Sequence, residues 1–374
     1  MESQARGTQQ CQSFFPARNR IAAKELALQL NPTDGGTQGM IEKSRSETVA
    51  VLVSSVGRRS QLIESFRQAL SELGVRGRVL GVDAAMEMAP AAYLVDRCFA
   101  VGRCCDPGFI DDVLKIAIEE DVCLIVPTID TELLVYAANR QRFLEHGITV
   151  AVSAPETVRI ACDKVETHRW LVENGFPTPR QGNPDEVLRS PVQWTFPLIL
   201  KPRLGSASNG VLVVGSLVAL RELTEGRQGM IVQEIARGNE YTVNVFVQDG
   251  RCVCAVPHRR LETRGGEVSK GITVRDERLI QLSTTIAEKL PGARGALNIQ
   301  CFVDADGTIS IIEINARFGG GFPLANRAGA KFPLWLLEPL LEKPSTVTDE
   351  WQDGLLMLRY DDAVFVSGAH SSHG

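Results

Sequence analysis

The feature that most constrains this chain is a change of periodicity within it. From Thr48, short continuous apolar runs alternate with stretches of helical spacing. TVAVLVSS, RVLGVD, CLIVPT and ITVAVS lack the in–out alternation of a half-solvated strand, so each reads as a strand buried on both faces. After the first run, Leu62, Ile63, Phe66, Leu70 and Leu73 fall on one helical stripe that stops at Gly74. FIDDVLKIAIEED and TELLVYAANRQRFLEHG continue the pattern as helices. Strand and helix in alternation predict a parallel sheet with helices on both faces. From about residue 154 the pattern differs. GNEYTVNVFVQDGRCVCAVPHRR and ALNIQCFVDADGTISIIEINAR are hinged on Asp249-Gly250 and Asp306-Gly307, and Asp-Gly between alternating runs predicts hairpins. APETVRIACDKVETHRWLVENG reads as a helical stretch closed by Gly175, with further helices near 216–225 and 278–290. The expected fold class is α/β followed by α+β.

Length and charge narrow the field. At 374 residues the chain exceeds one compact core and suits two or three units. Lys+Arg 40 against Asp+Glu 45 leaves a net charge of −5, so no global basic surface points to nucleic acid or to an anionic membrane. No apolar run approaches the about 20 residues that span a bilayer. The nine Cys are irregularly spaced and read as reduced thiols, and Cys252-x-Cys254 lacks the second pair of a zinc site. MESQARGTQQ has no secretory apolar core, which makes the cytoplasm the default. Residues 1–45, rich in Gln, Ser, Thr, Gly and Asn, are expected to be a mobile extension. The units that follow are 46–153, 154–345 and a C-terminal strand and tail over 346–374.

The first turn, SSVGRRS, is not G-x-G-x-x-G, so it is not expected to hold a dinucleotide. Asp83 reads as a cap on a loop or helix. Arg58, Thr128, Asp130 and Glu132 follow the strand ends, where ligands of such sheets sit.

The chemistry is concentrated later. Lys201 precedes a small-residue loop (Gly205, Ser206, Ser208, Gly210) of the kind that cradles phosphate. Glu313 and Asn315 lie two apart on the ISIIEIN strand and share a face, an oxygen pair suited to Mg²⁺; Arg317 continues that face. His258, Arg259, Arg260, Arg264 and Lys270 form a basic segment over 257–272, suited to a carboxylate or acylphosphate. GGGFP reads as a flexible loop over the site, or as a turn into the last helix. Each feature alone is better explained by a salt bridge, a turn or a surface charge. Their order and combination carry the argument.

In that order, DK (Asp163, Lys164), PLILKPRLGSASNGV, VQEI with GNEYTVNV, and NIQCFVDADGTISIIEINARFGGG resemble an ATP-grasp domain over about 154–330, of the carbamoyl-phosphate-synthase-large-subunit-like branch. Residues 48–153 resemble the Rossmann-like domain that precedes it. The resemblance implies that Lys164, Lys201 and Ser206 contact ATP phosphates, with Gln233, Glu234 and Ile235 along the adenine and Glu240 on the ribose. It places Gln300, Glu313 and Asn315 on Mg²⁺ (or Mn²⁺), where Gln300 stands at a position that is often Glu. It gives Arg317 and Lys201 to the transferred phosphoryl group. Arg259, Arg264 and Lys270 are expected to serve the substrate. The implied activity is a stand-alone carboxylate–amine ligase working on small molecules through an acylphosphate, independent of nucleic acid and membrane, with a homodimer left open. A carboxylate kinase, a carbamoyl-phosphate-type phosphotransferase and a non-catalytic ATP-binding module are the alternatives.

Overall fold

The computed structural model describes residues 48–205 and 209–367. The expectations for residues 1–45, for Ser206 and Ser208, and for the end of the tail lie outside the described residues.

Three sheets carry the fold. In the first, Thr48–Ser54 is central, flanked by Arg76–Asp83 and Val122–Pro127, with Arg97–Ala100 and Thr149–Val150 outside them. Every pairing is parallel. The doubly buried reading of these strands holds residue by residue. Ala50 and Leu52 enter one core while Val51 and Val53 enter another, on the opposite face. The order of connection reverses between Thr48–Ser54 and Val122–Pro127. A crevice therefore opens beyond Ser54 and Pro127.

The second sheet has six strands in the order Ile309–Asn315, Gly295–Val303, Asn239–Gln248, Arg251–Arg264, Glu267–Thr273 and Leu356–Leu358. Its pairings are antiparallel. Asp249 and Gly250, at φ 50° and 76°, make the left-handed two-residue turn that the Asp-Gly signal predicts. At the second Asp-Gly only Gly307 has positive φ (87°), and the loop closes between Asp304 and Thr308 instead. A third hairpin turns on Gly265 and Gly266 (φ 55° and 77°). The 257–272 segment is therefore two paired strands and not a loop.

The third sheet is small: Gln181–Gly182, Met230–Glu234, Leu198–Pro202 and Leu212–Val214, with its own core around Val187, Trp194, Leu198 and Leu220. The helical stretch after residue 154 is two helices, Pro155–Cys162 and Lys164–Glu173. Asp163 separates them with extended backbone, and its side chain accepts from the Val165 amide and caps the second helix.

The large sheet is fastened to the first by aromatic packing. Phe66 meets Phe318 edge-on at 6.0 Å, Phe318 meets Phe322 at 4.7 Å, and Phe322, Phe332 and Phe246 continue the row. Such pairs contribute about 0.5–1.5 kcal/mol each beyond area burial. They hold the end of the large sheet against the crevice of the parallel one.

Candidate active site

Two cavities lie along the large sheet. The smaller, ≈ 270 Å³, sits between its outer strands and the small sheet. It brings together Lys164, Lys201, Gln233, Glu234, Ile235, Glu240, Gln300 and Glu313 from six separate stretches of sequence. Lys201 is buried on Leu198–Pro202 and donates to Gln233 Oε1 at 2.7 Å. Burial lowers its pKa to about 8, against which Glu313 pulls upward and Lys164 downward. The Lys164 ammonium donates to the Gly205 carbonyl at 2.6 Å, so it lies across the mouth of the small-residue loop. Burial raises the Glu313 carboxyl, while Lys164, Arg317 and Lys201 lower it and Asp130 adds to the rise. Two carboxylates, Glu313 and Asp130, thus stand against three cations, and a polyphosphate would find counter-charge there.

Arg317 lies at the far end of the Glu313 strand. Its guanidinium forks onto Asp130, with Nε to Oδ1 at 2.9 Å and Nη2 to Oδ2 at 2.7 Å, and donates to Asn315 Oδ1 at 3.2 Å. Asp130 opens the helix Asp130–Leu144 of the parallel sheet. This pair ties the two sheets together beside the crevice. Glu132, in the same turn, is fully buried and accepts from Ser54 Oγ (2.6 Å), Ser55 Oγ (2.8 Å) and the Thr128 amide (2.6 Å). It locks two strand ends and is unavailable to substrate, as is the buried Thr128. Asp83 accepts from the Gly57 and Ala85 amides and caps the loop, as expected.

The basic segment is distributed differently from the expectation. In a strand successive side chains alternate between faces. Arg260 backs the lining of the smaller cavity, its Nη1 donating to Glu240 Oε1 at 2.7 Å and Gln300 Oε1 at 2.9 Å, with its side chain only 7% exposed. Arg259, paired with Tyr241 and Ile272, points to the opposite face. Lys270 is engaged on the outside by Glu262 at 2.7 Å. Arg264 leaves the smaller cavity altogether and borders the larger one. His258 is buried and adds no charge, because burial, then Arg260 and Arg359, pushes its pKa down to about 3. Of the three, Arg259 and Lys270 border neither cavity, Arg264 borders the larger one, and Arg260 is the member of the segment that bonds to the lining of the smaller. Reading 257–272 as alternating strands about Gly265-Gly266 would have singled it out.

The glycines of GGGFP are not a free loop. A Cβ at Gly319 would meet Asn298 Nδ2 at 2.9 Å, one at Gly320 would meet Glu267 Oε2 at 2.4 Å, and one at Gly321 would meet His258 Nε2 at 2.5 Å. None of the three has positive φ. These glycines are required for space, since the backbone passes directly over the large sheet's polar side chains.

The donor set for a hard cation is narrow. Gln300 Oε1 accepts from Arg260 and Asn315 Oδ1 accepts from Arg317, which leaves Glu313 as the anionic oxygen donor of that face. Among the described residues no group of three or more His, Cys, Asp or Glu could hold a metal by itself. This set fits an ion that arrives with phosphate oxygens as its other ligands, the habit of Mg²⁺. Burial pushes the Cys162 and Cys301 thiols up to about 12, so neither offers a thiolate at neutral pH.

Comparison with known proteins agrees with this architecture. Residues 227–363 match the family described as ATP-grasp in the biosynthetic pathway with Ter operon, and residues 51–151 match the PylC-like, N-terminal domain. The chain therefore carries an ATP-grasp domain preceded by a PylC-like N-terminal domain. Among curated relatives it is 28% identical over 174 residues to a carbamoyl-phosphate synthase of Methanobrevibacter smithii, an alignment covering 46% of each chain. It thus spans about half the length of that relative. Among solved structures it resembles the biotin carboxylase domain of the Hydrogenobacter thermophilus 2-oxoglutarate carboxylase, crystallised with MgADP, ADP and bicarbonate. The TM-score is 0.66 at 16% identity, over 82% of this chain and 73% of that one. The L-amino acid ligase of Bacillus licheniformis gives 0.62 at 20% identity, over 81% and 76%. Among the described residues no helix is long and apolar enough to cross a membrane.

Proposed function

We propose that this protein is an ATP-dependent carboxylate–amine ligase, forming an amide or peptide bond through an acylphosphate with release of ADP and phosphate. The observation that carries the reading is the cleft that gathers Lys164, Lys201 and Glu313 at the mouth of the small-residue loop, with Arg317 held by Asp130 beyond the end of the Glu313 strand. Phosphoryl transfer asks a protein for positioning and charge neutralisation more than for covalent help.

In this reading the smaller cavity takes ATP. Lys164 and Lys201 lie on the phosphates, Gln233, Glu234 and Ile235 run along the adenine, and Glu240 receives the ribose. Glu313, with the amide oxygens of Gln300 and Asn315, would hold Mg²⁺, which when bound neutralises the phosphate oxygens. A carboxylate oxygen of the substrate attacks the γ-phosphorus and ADP leaves. The amine nitrogen then attacks the acyl carbon, phosphate leaves and the nitrogen gives up a proton. Arg317, fixed by Asp130, faces the developing charge, and Arg260 holds Glu240 and Gln300 in place. Among the structural neighbours the biotin carboxylase domain is a dimer, and a homodimer is the assembly proposed here, to be checked by light scattering.

The test is incubation with ATP, Mg²⁺ and a panel of carboxylates and amines. ADP release that needs both partners and yields an amide supports the ligase. A stable phosphorylated product supports a carboxylate kinase or phosphotransferase. Nucleotide binding with no turnover across the panel supports a non-catalytic module.

A further inference from the structure

The larger cavity, ≈ 520 Å³, opens where the crevice of the parallel sheet meets the third hairpin of the large sheet. Its charged lining residues are Arg58, Arg59, Arg264, Glu267, Arg359, Asp361 and Asp362, and the glycine segment closes it. Arg59 follows the first strand, Glu267 begins the Glu267–Thr273 strand, Gly320 lies on the glycine segment, and Arg359 follows the last strand, Leu356–Leu358. The two arginines share one carboxylate. Arg59 Nη1 lies 3.5 Å from Glu267 Oε1, and Arg359 Nη1 lies 3.5 Å from Glu267 Oε2. Both separations exceed those of well-made charge-assisted hydrogen bonds, about 2.7–2.9 Å. Arg59 also donates to the Thr128 carbonyl at 3.1 Å, and Arg359 Nη2 donates to the Gly320 carbonyl. Arg359 Nε is buried with no hydrogen-bond partner among the described residues.

The charges do not balance. The lining arginines, Arg58, Arg59, Arg264 and Arg359, are set against Glu267, Asp361 and Asp362, one positive charge in excess. Burial lowers the Arg59 pKa, with Arg317 and Arg359 adding to the fall against Glu267 and Asp130. An uncompensated cation held away from water is costly unless a ligand supplies the counter-charge. A planar guanidinium with free donors is matched to an oxyanion with two oxygens.

Resting on the ligase reading, we propose that this cavity holds the substrate and that the substrate carries a second anionic group, bound by Arg59 and Arg359, apart from the carboxyl that is activated. Arg317 lies between the two cavities in charge terms, since it interacts with Glu313 on one side and with Glu267 on the other. The activated carboxyl is thus directed toward Arg317, and the second anion toward Arg359. The C-terminal strand decides specificity by delivering Arg359. The strand is held by antiparallel pairing to Glu267–Thr273, and the Arg359 amide donates to the Ser269 carbonyl at 2.9 Å.

The test is calorimetric titration of the full chain with succinate, glutarate, glutamate and 3-phosphoglycerate, and with butyrate and valerate as single-anion controls. At least one doubly anionic probe is expected to bind tenfold or more tightly than every control. Arg359→Gln should erase that preference, and Arg359→Lys should restore part of it. ATP affinity and the thermal midpoint, measured on the same variants, show that the fold and the other cavity are intact. No preference for the doubly anionic probes, or a preference unchanged in Arg359→Gln, overturns the proposal. The ligase reading fails separately. Arg359-dependent binding with no amide formed keeps the anion site and sinks the ligase, while amide formation from single-anion acids regardless of Arg359 does the reverse.

Discussion

The two cavities differ in how they are built. The smaller is lined for the most part by side chains on strand faces, whose spacing along each strand says which residues look the same way. Glu313 pairs with Gln300 across neighbouring strands, and Gln300 with Thr242. The larger is assembled from a turn, a strand start, a glycine segment and a terminal strand that share no periodicity. A site laid out on a sheet inherits its geometry from the hydrogen-bond ladder. A site made where sheets meet inherits it from the packing between them.

Breaking the junction should have the largest effect. Arg317→Ala leaves Asp130 partly buried without its partner, with side chains 11% and 17% exposed in the pair. Loss of about 3–5 kcal/mol of stability is expected, since an uncompensated buried charge remains. Urea titration measures it, and an unchanged midpoint would mean that the pair fastens nothing. Glu313→Ala tests the smaller cavity alone. Turnover should fall by about 10²–10³-fold, as when a group that stabilises developing charge is removed, with the thermal midpoint retained. ADP release by a coupled assay decides it.

Gly320→Ala tests the larger cavity. Its Cβ would lie 2.4 Å from Glu267 Oε2, so the carboxylate that bridges the two arginines must move. A cost of about 1–3 kcal/mol is expected from overpacking, together with weaker substrate binding and unchanged ATP affinity. Equal losses for ATP and substrate would erase the distinction between the cavities.

The smallest effect is a pH dependence. Lys201, lowered to about 8, is charged below that pH and neutral above it. A triphosphate favours the charged form and raises this pKa on binding. ATP affinity should therefore be full below pH 8 and fall as pH rises through 8, by up to about tenfold per unit. The effect on stability has the opposite sign. The cost of burying the ammonium is present below about 8 and vanishes as pH approaches the unfolded value of 10.5. Titrations from pH 6.5 to 9.5, with Lys201→Arg as a control that does not titrate, isolate the group.

Much of the fold was legible in advance. Continuous apolar runs mark strands buried on both faces, and Val51 and Leu52 indeed enter separate cores. Asp249-Gly250 marks a turn that demands positive φ at both positions. Lys164, Lys201, Glu240, Gln300 and Glu313 lie on five different elements, so only the order of motifs that resembles an ATP-grasp domain pointed to their grouping; strand period alone put together Glu313 and Asn315. The way the basic segment 257–272 divides has a physical origin. A dense run of cations resembles a solvated loop in composition, yet its alternation about Gly265-Gly266 makes it a hairpin. Arg260 is then turned inward and Arg259 outward. Of the two readings of GGGFP the turn into a helix holds, since the segment leads into Phe322–Ala328, and its glycines serve close approach.

The amino-acid sequence by itself determined the switch from parallel to antiparallel sheet, the turns between hairpin strands and the face each strand residue presents. These are local consequences of side-chain period and turn stereochemistry. The tertiary structure alone decided that Arg317 meets Asp130, 187 positions away, and that Arg59 and Arg359 converge on Glu267. Contacts of that kind depend on how the aromatic row from Phe66 to Phe246 seats one sheet against another. No periodicity within either segment encodes that seating.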